Sequence, residues 1–332
     1  MTRYVKSMRW KSVTLPTNVF YAPLAGCSDF AFRHMASFHP VGLMFCEMVR
    51  MEALVRNIGA TYRMLAYRDS MRPIGAQLCG SNPRLAAPTA RIIEELGFDT
   101  VDLNCGCPVD KVTKDGSGSG LLKTPLKIGE IVAEMVAAVE IPVTLKIRAG
   151  WDDAHINAPE ITRIAESAGA VAIAVHGRTR EQQYRGKADR GVIRKCKEAA
   201  SSIAVIGNGD VFSPEEGRAL FEETGCDAVL VSRGTLGKPW IAEDIVRFDK
   251  GLPPLKIDDA TLFSYLLDHL RSIEGHEKGR KALLDARRVS CWFLRSRKEG
   301  KEVRGRINRL EEVGDIIRLV EELCAPVAIR GV

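Results

Sequence analysis

Apolar residues fall in eight short runs over the first two-thirds of the chain, at 19–24, 43–46, 74–78, 100–103, 143–147, 171–175, 203–206 and 228–231. Each is rich in β-branched residues and reads as a continuous rather than an alternating run. Strands covered on both faces give that pattern, and such strands belong to parallel sheets. Longer stretches of helical periodicity separate them, for example 82–96, 126–139 and 214–224. Eight strand–helix units in about 240 residues match an α/β (β/α)8 TIM barrel in number and size. An open doubly wound sheet is the competing arrangement, but it usually has fewer strands and needs a crevice where the strand order reverses. The barrel is the expected fold.

The pattern changes after Phe248. Gly251-Leu-Pro-Pro254 reads as a linker, because two prolines break any regular element. From 259 to 320 the periodicity is helical, with Leu262, Tyr265, Leu266, His269 and Leu270 on one stripe and no strand signal. The expected organisation is a barrel over residues 1–248 followed by a small all-helical C-terminal domain over 249–332.

The 332 residues are 45% hydrophobic and 27% charged, enough apolar material for a sizeable core. No apolar run approaches the ~18 residues a membrane span requires; the longest, 168–175, has the length of a buried strand. The N-terminus carries no charged–apolar–small leader pattern, and nine cysteines, mostly scattered singly, do not make a disulfide framework. A reducing cytoplasm is the expected location, with no membrane contact. Net charge is only +6, but its distribution is uneven. Between Lys278 and Arg309 twelve basic residues face only Asp285, Glu299 and Glu302, a local excess of +9. A solvated face is the usual account of a charge run; an excess this dense also suits a polyanion.

The barrel expectation directs attention to the strand ends, where such folds place their chemistry. Nearly every run ends in a polar or glycine-rich cluster. The ends converge on one face, so Gln77, Asn104, Cys107, Lys146, His176, Asn208 and Arg233 are expected to line one mouth. Asn208-Gly-Asp210 and Ser232-Arg-Gly234 follow the seventh and eighth runs, where barrels often hold a phosphate on backbone N–H groups. Either cluster alone is as well explained by a tight turn; two in consecutive loops favour phosphate. Lys146 stands at a buried strand end, an expensive place for an ammonium without a partner. Contact with an electron-rich cofactor ring such as a reduced flavin, a salt bridge to Glu47 or Asp102, and Schiff-base chemistry are the alternatives, in that order. His176, beside Gly177-Arg178, belongs to the site rather than to the core. Gln77 and Asn104 offer amide donor–acceptor pairs suited to a heteroaromatic edge. Cys105 and Cys107 lack a second ligand pair for zinc, so no metal is expected. Cys107, in a loop before Pro108, is better placed as a proton donor, with Cys105 structural. The tract 115–120, Asp-Gly-Ser-Gly-Ser-Gly, is neither a P-loop nor a dinucleotide fingerprint and reads as a flexible loop over the mouth.

Taken together, Ala22-Pro-Leu-Ala-Gly-Cys-Ser-Asp29, Asp102-Leu-Asn-Cys-Gly-Cys-Pro108, Lys146-Ile-Arg148 with Gly150-Trp-Asp152, His176-Gly-Arg-Thr-Arg180 with Tyr184, Asn208-Gly-Asp210 and Ser232-Arg-Gly234 with Pro239-Trp240 resemble the tRNA-dihydrouridine synthases over nearly the whole chain. The resemblance implies an FMN-binding barrel followed by a helical domain that grips tRNA. It places Pro23, Ala25, Gln77, Lys146, His176, Asn208, Gly209, Asp210, Ser232 and Arg233 around FMN. It makes Cys107 the general acid and gives Asn104, Arg148 and Tyr184 the target uracil. The implied reaction is reduction of the C5=C6 bond of a D-loop uridine: NADPH reduces the flavin, the flavin N5 passes a hydride to C6, and Cys107 protonates C5. The base must leave its stack to lie flat on the flavin. Arg287, Arg288 and Arg295 in the basic stretch are the expected tRNA phosphate contacts. Ser232 stands where the family usually has glycine and Arg190 where an aromatic is common. The Cys-Gly-Cys-Pro form and the tail Ala286-Arg-Arg288 with Trp292 and Leu294-Arg295 look closest to the DusC subgroup, which implies uridine 16. No stable protein partner is implied, and a monomer is expected. The rivals are an FMN barrel acting on a free pyrimidine or enone, a Schiff-base aldolase using Lys146, and a non-catalytic RNA-binding protein.

Overall fold

A computed structural model of the chain describes residues 3–297 and 300–324; Lys298 and Glu299 of the basic stretch and residues 325–332 of the expected helical domain lie outside it. Eight parallel strands close into a barrel: Val19–Tyr21, Leu43–Phe45, Ile74–Cys79, Thr100–Cys105, Val143–Arg148, Ala172–His176, Ala204–Asn208 and Ala228–Val231. Each pairs with the next in sequence, and the eighth pairs with the first, Val229 opposite Val19 and Val231 opposite Tyr21. Helices such as Ala86–Glu95, Pro125–Ala138, Ala158–Ser167, Arg190–Ala199 and Pro214–Thr224 follow the strands and cover the outside. The barrel and its eight runs are as the sequence predicts.

Side-chain direction along the strands divides the core. Outward residues such as Val101, Leu103, Val143, Leu145, Ile147, Ile173 and Val175 join the helices in one apolar cluster. Inward, Phe20, Ala22, Leu43, Phe45, Ala172, Ala174, Ile206 and Leu230 fill half of the lumen. The third to fifth strands send Gln77, Asp102, Asn104, Thr144, Lys146 and Arg148 to the other half. The runs through these strands therefore do alternate, with the polar members facing the lumen. An antiparallel hairpin, Met8–Trp10 with Val13–Leu15, adds Trp10 and Leu15 to the lumen cluster at the end where the strands begin. Trp10 meets Phe20 edge-on at 5.6 Å between ring centroids. The polar end of the lumen is thus left open only where the strands finish.

Beyond the helix Ile241–Asp249, four helices follow: Asp259–His276, Gly279–Phe293, Gly300–Ile307 and Val313–Cys324. Asp258 caps the first, accepting from the Thr261 backbone N–H at 2.9 Å. Their shared core of Leu262, Leu266, Leu270, Val289, Phe293, Ile307 and Ile316 takes in Ala31 and Trp240 from the barrel side. Contact at the junction is close. Gly237 has φ +73°, and a Cβ there would lie 2.5 Å from the Trp292 carbonyl oxygen, so only glycine lets the loop after the eighth strand rest on the helix Gly279–Phe293.

Candidate active site

A cavity of about 400 Å³ opens at the C-terminal ends of the strands. Its lining includes Pro23 and Ala25 after the first strand, Gln77 from the third, Asn104 and Cys107 from the fourth, and Lys146 and Arg148 from the fifth. His176 and Tyr184 come from the sixth strand and its loop, Asn208, Gly209 and Asp210 from the seventh, and Ser232 and Arg233 from the eighth. The structure brings all of these candidates together. Arg287, Arg288 and Arg295 do not line the cavity.

One wall is a directed chain of hydrogen bonds. Asp102 is enclosed in the lumen; it accepts from Thr144 Oγ1 at 2.6 Å and from Gln77 Nε2 at 2.7 Å. Gln77 Oε1 accepts from Asn104 Nδ2 at 2.7 Å, and Asn104 Oδ1 accepts from the backbone N–H groups of Gly106 at 3.1 Å and Cys107 at 2.9 Å. Burial lifts the Asp102 carboxyl to about 6, against the hydrogen bonds from Thr144 and Gln77 and the charge of Lys146.

The half-buried Cys107 is held from below as well. Its carbonyl oxygen accepts from Ser119 N at 3.0 Å and Ser119 Oγ at 2.9 Å. Ser117 and Ser119 are fully buried, and a Cβ on Gly118 would lie 2.9 Å from that same oxygen. The tract 115–120 therefore supports the Cys107 loop and does not hang over the mouth. Small residues are required there by close packing. Cys105 lies in the outer apolar core, away from Cys107. Among the described residues no group of three or more His, Cys, Asp or Glu could hold a metal ion.

Lys146 has no hydrogen-bond or ion-pair partner among the described residues, so the salt bridge to Glu47 or Asp102 is not formed; Glu47 instead accepts from the Gly26 N–H. Burial, then Arg148, push the Lys146 ammonium down to about 8. Arg148 is pinned by Gly106 O at 2.8 Å, Thr179 O at 2.9 Å and Gln183 O at 2.8 Å, and lies 5.6 Å from the Tyr184 ring. His176 is held well below the ordinary histidine range by burial and by Lys146, Arg148, Arg178 and Arg233. Its Nε2 lies 3.3 Å from Arg178 Nη1, a group that only donates, so the ring hydrogen belongs on Nδ1.

Gly209 takes φ +132°, and a Cβ on it would meet Ala188 Cβ at 2.5 Å; a Cβ on Gly234 would lie 2.0 Å from Val211 O. Beside these two glycines, Asn208 Nδ2 donates to Leu230 O at 2.7 Å and to Ser232 Oγ at 2.9 Å. Arg233 stands 4.5 Å from the Tyr184 ring and 5.5 Å from the Phe212 ring. Asp210 is the brace of this corner. It grips Arg178 at 2.8 and 2.7 Å, Arg233 at 3.2 Å and the Ala188 N–H at 2.8 Å. Close glycine backbone, a guanidinium and a hydroxyl fit a phosphate, while the unpartnered Lys146 and the amides of Gln77 and Asn104 fit an electron-rich heteroaromatic ring.

Arg178 and Asp102 were not among the sequence candidates. Arg178 stands in the quoted His176-Gly-Arg178 cluster, so its position was visible, whereas its bond to Asp210 joins different loops. The expected phosphate contacts divide. Arg287 Nη2 donates to Leu310 O at 2.6 Å, and Arg288 Nη2 donates to the buried Asp285 at 2.6 Å; both are tied into the helical core. Arg295 is exposed and lines a second groove, of about 780 Å³, with Trp292, Arg297, Lys238, Phe212 and Arg233. That groove and the cavity share Phe212, Arg233, Gly234 and Leu236 in their linings.

A closed (β/α)8 barrel carries this mouth at the C-terminal ends of its strands. A solved structure of morphinone reductase in complex with tetrahydroNAD superposes with a TM-score of 0.54, covering 79% of this chain and 94% of that one at 14% identity. A 2-naphthoyl-CoA reductase complex gives 0.57, covering 76% and 52% at 11% identity. Both likenesses concern the fold. In sequence, the family model "Dihydrouridine synthase (Dus)" matches residues 20–328. "tRNA-dihydrouridine synthase B" of Pseudomonas putida is 36% identical over 311 residues, 93% of this chain and 91% of that protein. The Escherichia coli protein of the same name is 34% identical, covering 95% and 98%. The "Probable tRNA-dihydrouridine synthase 1" of Synechocystis is 36% identical over 321 residues. The chain belongs to the dihydrouridine synthase family. These relatives carry the B designation or a number, not the C of the subgroup expected from the tail.

Proposed function

We propose that this chain reduces the C5=C6 bond of a D-loop uridine in tRNA, using FMN reduced by NADPH, with Cys107 as general acid. The observation that carries the reading is the convergence of a glycine–arginine phosphate cradle, an unpartnered lysine, two directed amides and a half-buried thiol in one cavity. Ser232, Arg233, Asn208 and Gly209 hold the cofactor phosphate, with Asp210 keeping Arg233 in place. Gln77, Lys146 and His176, with Pro23 and Ala25, hold its ring. A bound, reduced flavin supplies the two-electron reduction. Lys146, shifted toward neutral pH yet still largely protonated, balances negative charge at the ring. Asn104, Arg148 and Tyr184 hold the uracil flat after it leaves its stack. The Cys107 thiol gives its proton to C5, and its loop is fixed from three sides so that the thiol does not swing away.

Residues 1–248 carry this chemistry, and residues 249–332 present the phosphate-binding surface, with the chain acting as a monomer. The basic, aromatic groove that adjoins the cavity at Phe212 and Arg233 favours RNA over a free pyrimidine. The test is to incubate purified protein with NADPH and an unmodified tRNA transcript and to map dihydrouridine by sequencing, which also reads the position, 16 or another. Dihydrouridine at one D-loop site supports the reading. Equal turnover of free uridine with untouched tRNA rejects it.

A further inference from the structure

Tyr184, at the cavity mouth, is 51% exposed, and its hydroxyl makes no hydrogen bond among the described residues. Its ring has Arg148, Arg233 and His176 beside it and nothing that locks it by shape. Where the ring stands therefore depends on the backbone that carries it. Gln183, just before it, takes φ +51°, a left-handed conformation that a residue with a side chain keeps only when its surroundings hold it there. Arg148 supplies one restraint, donating to Gln183 O at 2.8 Å.

The restraint on the other side of Tyr184 is Arg178. Its Nε donates to Arg185 O at 3.1 Å and its Nη2 to Gly186 O at 2.6 Å. No other donor among the described residues reaches these two carbonyls. Arg178 is itself fixed: it is 2% exposed, with Nη1 and Nη2 on the Asp210 carboxylate at 2.8 and 2.7 Å. Nη1 also lies 3.3 Å from His176 Nε2, so one N–H on Nε and two on each Nη are all engaged. A buried guanidinium is tolerated only when its charge is balanced and its donors are used, and both conditions hold here. Asp210 accepts in addition from Arg233 at 3.2 Å and from the Ala188 N–H at 2.8 Å, so the phosphate corner keeps these bonds when Arg178 is replaced.

We propose that Arg178 is a positioning residue for the RNA half of the reaction. With Arg148 it brackets Tyr184: Arg148 holds the carbonyl before the ring, and Arg178 holds the two that follow. The inference rests on the functional reading above, in which Tyr184 holds the target base. Lysine in place of Arg178 keeps the charge, but one ammonium cannot reach Asp210, Arg185 O and Gly186 O together.

Two measurements on the full-length, flavin-loaded protein test it. Arg185 and Lys187 are exposed in the bracketed segment, so trypsin reads its restraint directly. In Arg178→Lys, cleavage after these two residues accelerates roughly tenfold while cleavage elsewhere is unchanged. Reoxidation of the bleached flavin by tRNA falls roughly tenfold in kcat/KM, with NADPH-driven bleaching within about twofold of wild type. The defect passes through Tyr184, so adding Arg178→Lys to Tyr184→Ala slows reoxidation by less than about twofold more. Unchanged cleavage after Arg185 and Lys187 overturns the inference, as does faster cleavage throughout the chain. So does a double variant in which the two defects multiply in full, or a variant that fails to fold or to keep its flavin, because Arg178 would then serve the fold or the cofactor. Failure of the functional reading is distinguishable: it leaves wild-type protein unable to pass electrons to tRNA, while the trypsin result stands by itself.

Discussion

His269 makes the junction between barrel and helical region sensitive to acid. It lies in the helix Asp259–His276, 2% exposed, edge-on to Phe293 at 5.9 Å, and neither ring nitrogen has a hydrogen-bond partner among the described residues. Burial, then the neighbouring His34 and Arg288, push it from 6.5 down to about 3. The folded value lies below the unfolded one, so the unfolded chain binds the extra proton. The contribution to stability is intact above about pH 6.5 and is lost as pH falls toward 3. At ~1.4 kcal/mol per pH unit the full loss is about 5 kcal/mol, of which about 2 kcal/mol has gone by pH 5. Comparing urea unfolding of wild type and His269→Phe at pH 7.5 and pH 5, followed by tryptophan fluorescence, isolates this amount. A packing penalty in the variant is common to both conditions and cancels, as does the titration of His34, His176 and His276. Wild type should lose about 2 kcal/mol more than the variant between the two conditions. Equal losses would refute the reasoning.

Other consequences follow from the site. Cys107→Ala should stay yellow and accept electrons from NADPH, yet reduce tRNA ~10²–10⁴-fold more slowly; undiminished turnover would assign the proton to another group. Gly209→Ala, strained at φ +132° and crowded by Ala188, should weaken flavin binding roughly tenfold, read by titrating the apoprotein. Arg295→Ala should lower the slope of log affinity for tRNA against log salt by about one without changing thermal stability. Arg288→Ala should also lower stability, because it leaves the buried Asp285 with Lys281 as its only remaining cation; a purely electrostatic effect there would contradict the placement.

The barrel was legible because its strands are covered on the outside, where Val143, Leu145 and Ile147 meet helices. The polar inward partners Thr144, Lys146 and Arg148 alternate with these, a pattern that the reading of the runs as continuous passed over. The hairpin Met8–Leu15 was not legible, since three-residue strands carry too little pattern and its burial depends on closure of the barrel. The glycine–serine tract at 115–120 misled for a physical reason: small residues serve open loops and tight buried turns alike. The basic run overstated its free charge, because Lys281 and Arg288 are spent on Asp285 and Arg297 on Asp259. The role of Arg178 depends on its contacts with Asp210, Arg185 and Gly186, which no spacing along the chain reveals.

The most direct test of the central claim is an anaerobic titration of the purified protein watched in the visible. The account predicts a flavin band that NADPH bleaches and that returns in proportion to added unmodified tRNA, and not when tRNA already carrying dihydrouridine is added. Protein that binds no FMN, or a bleached band indifferent to both RNAs, would contradict it.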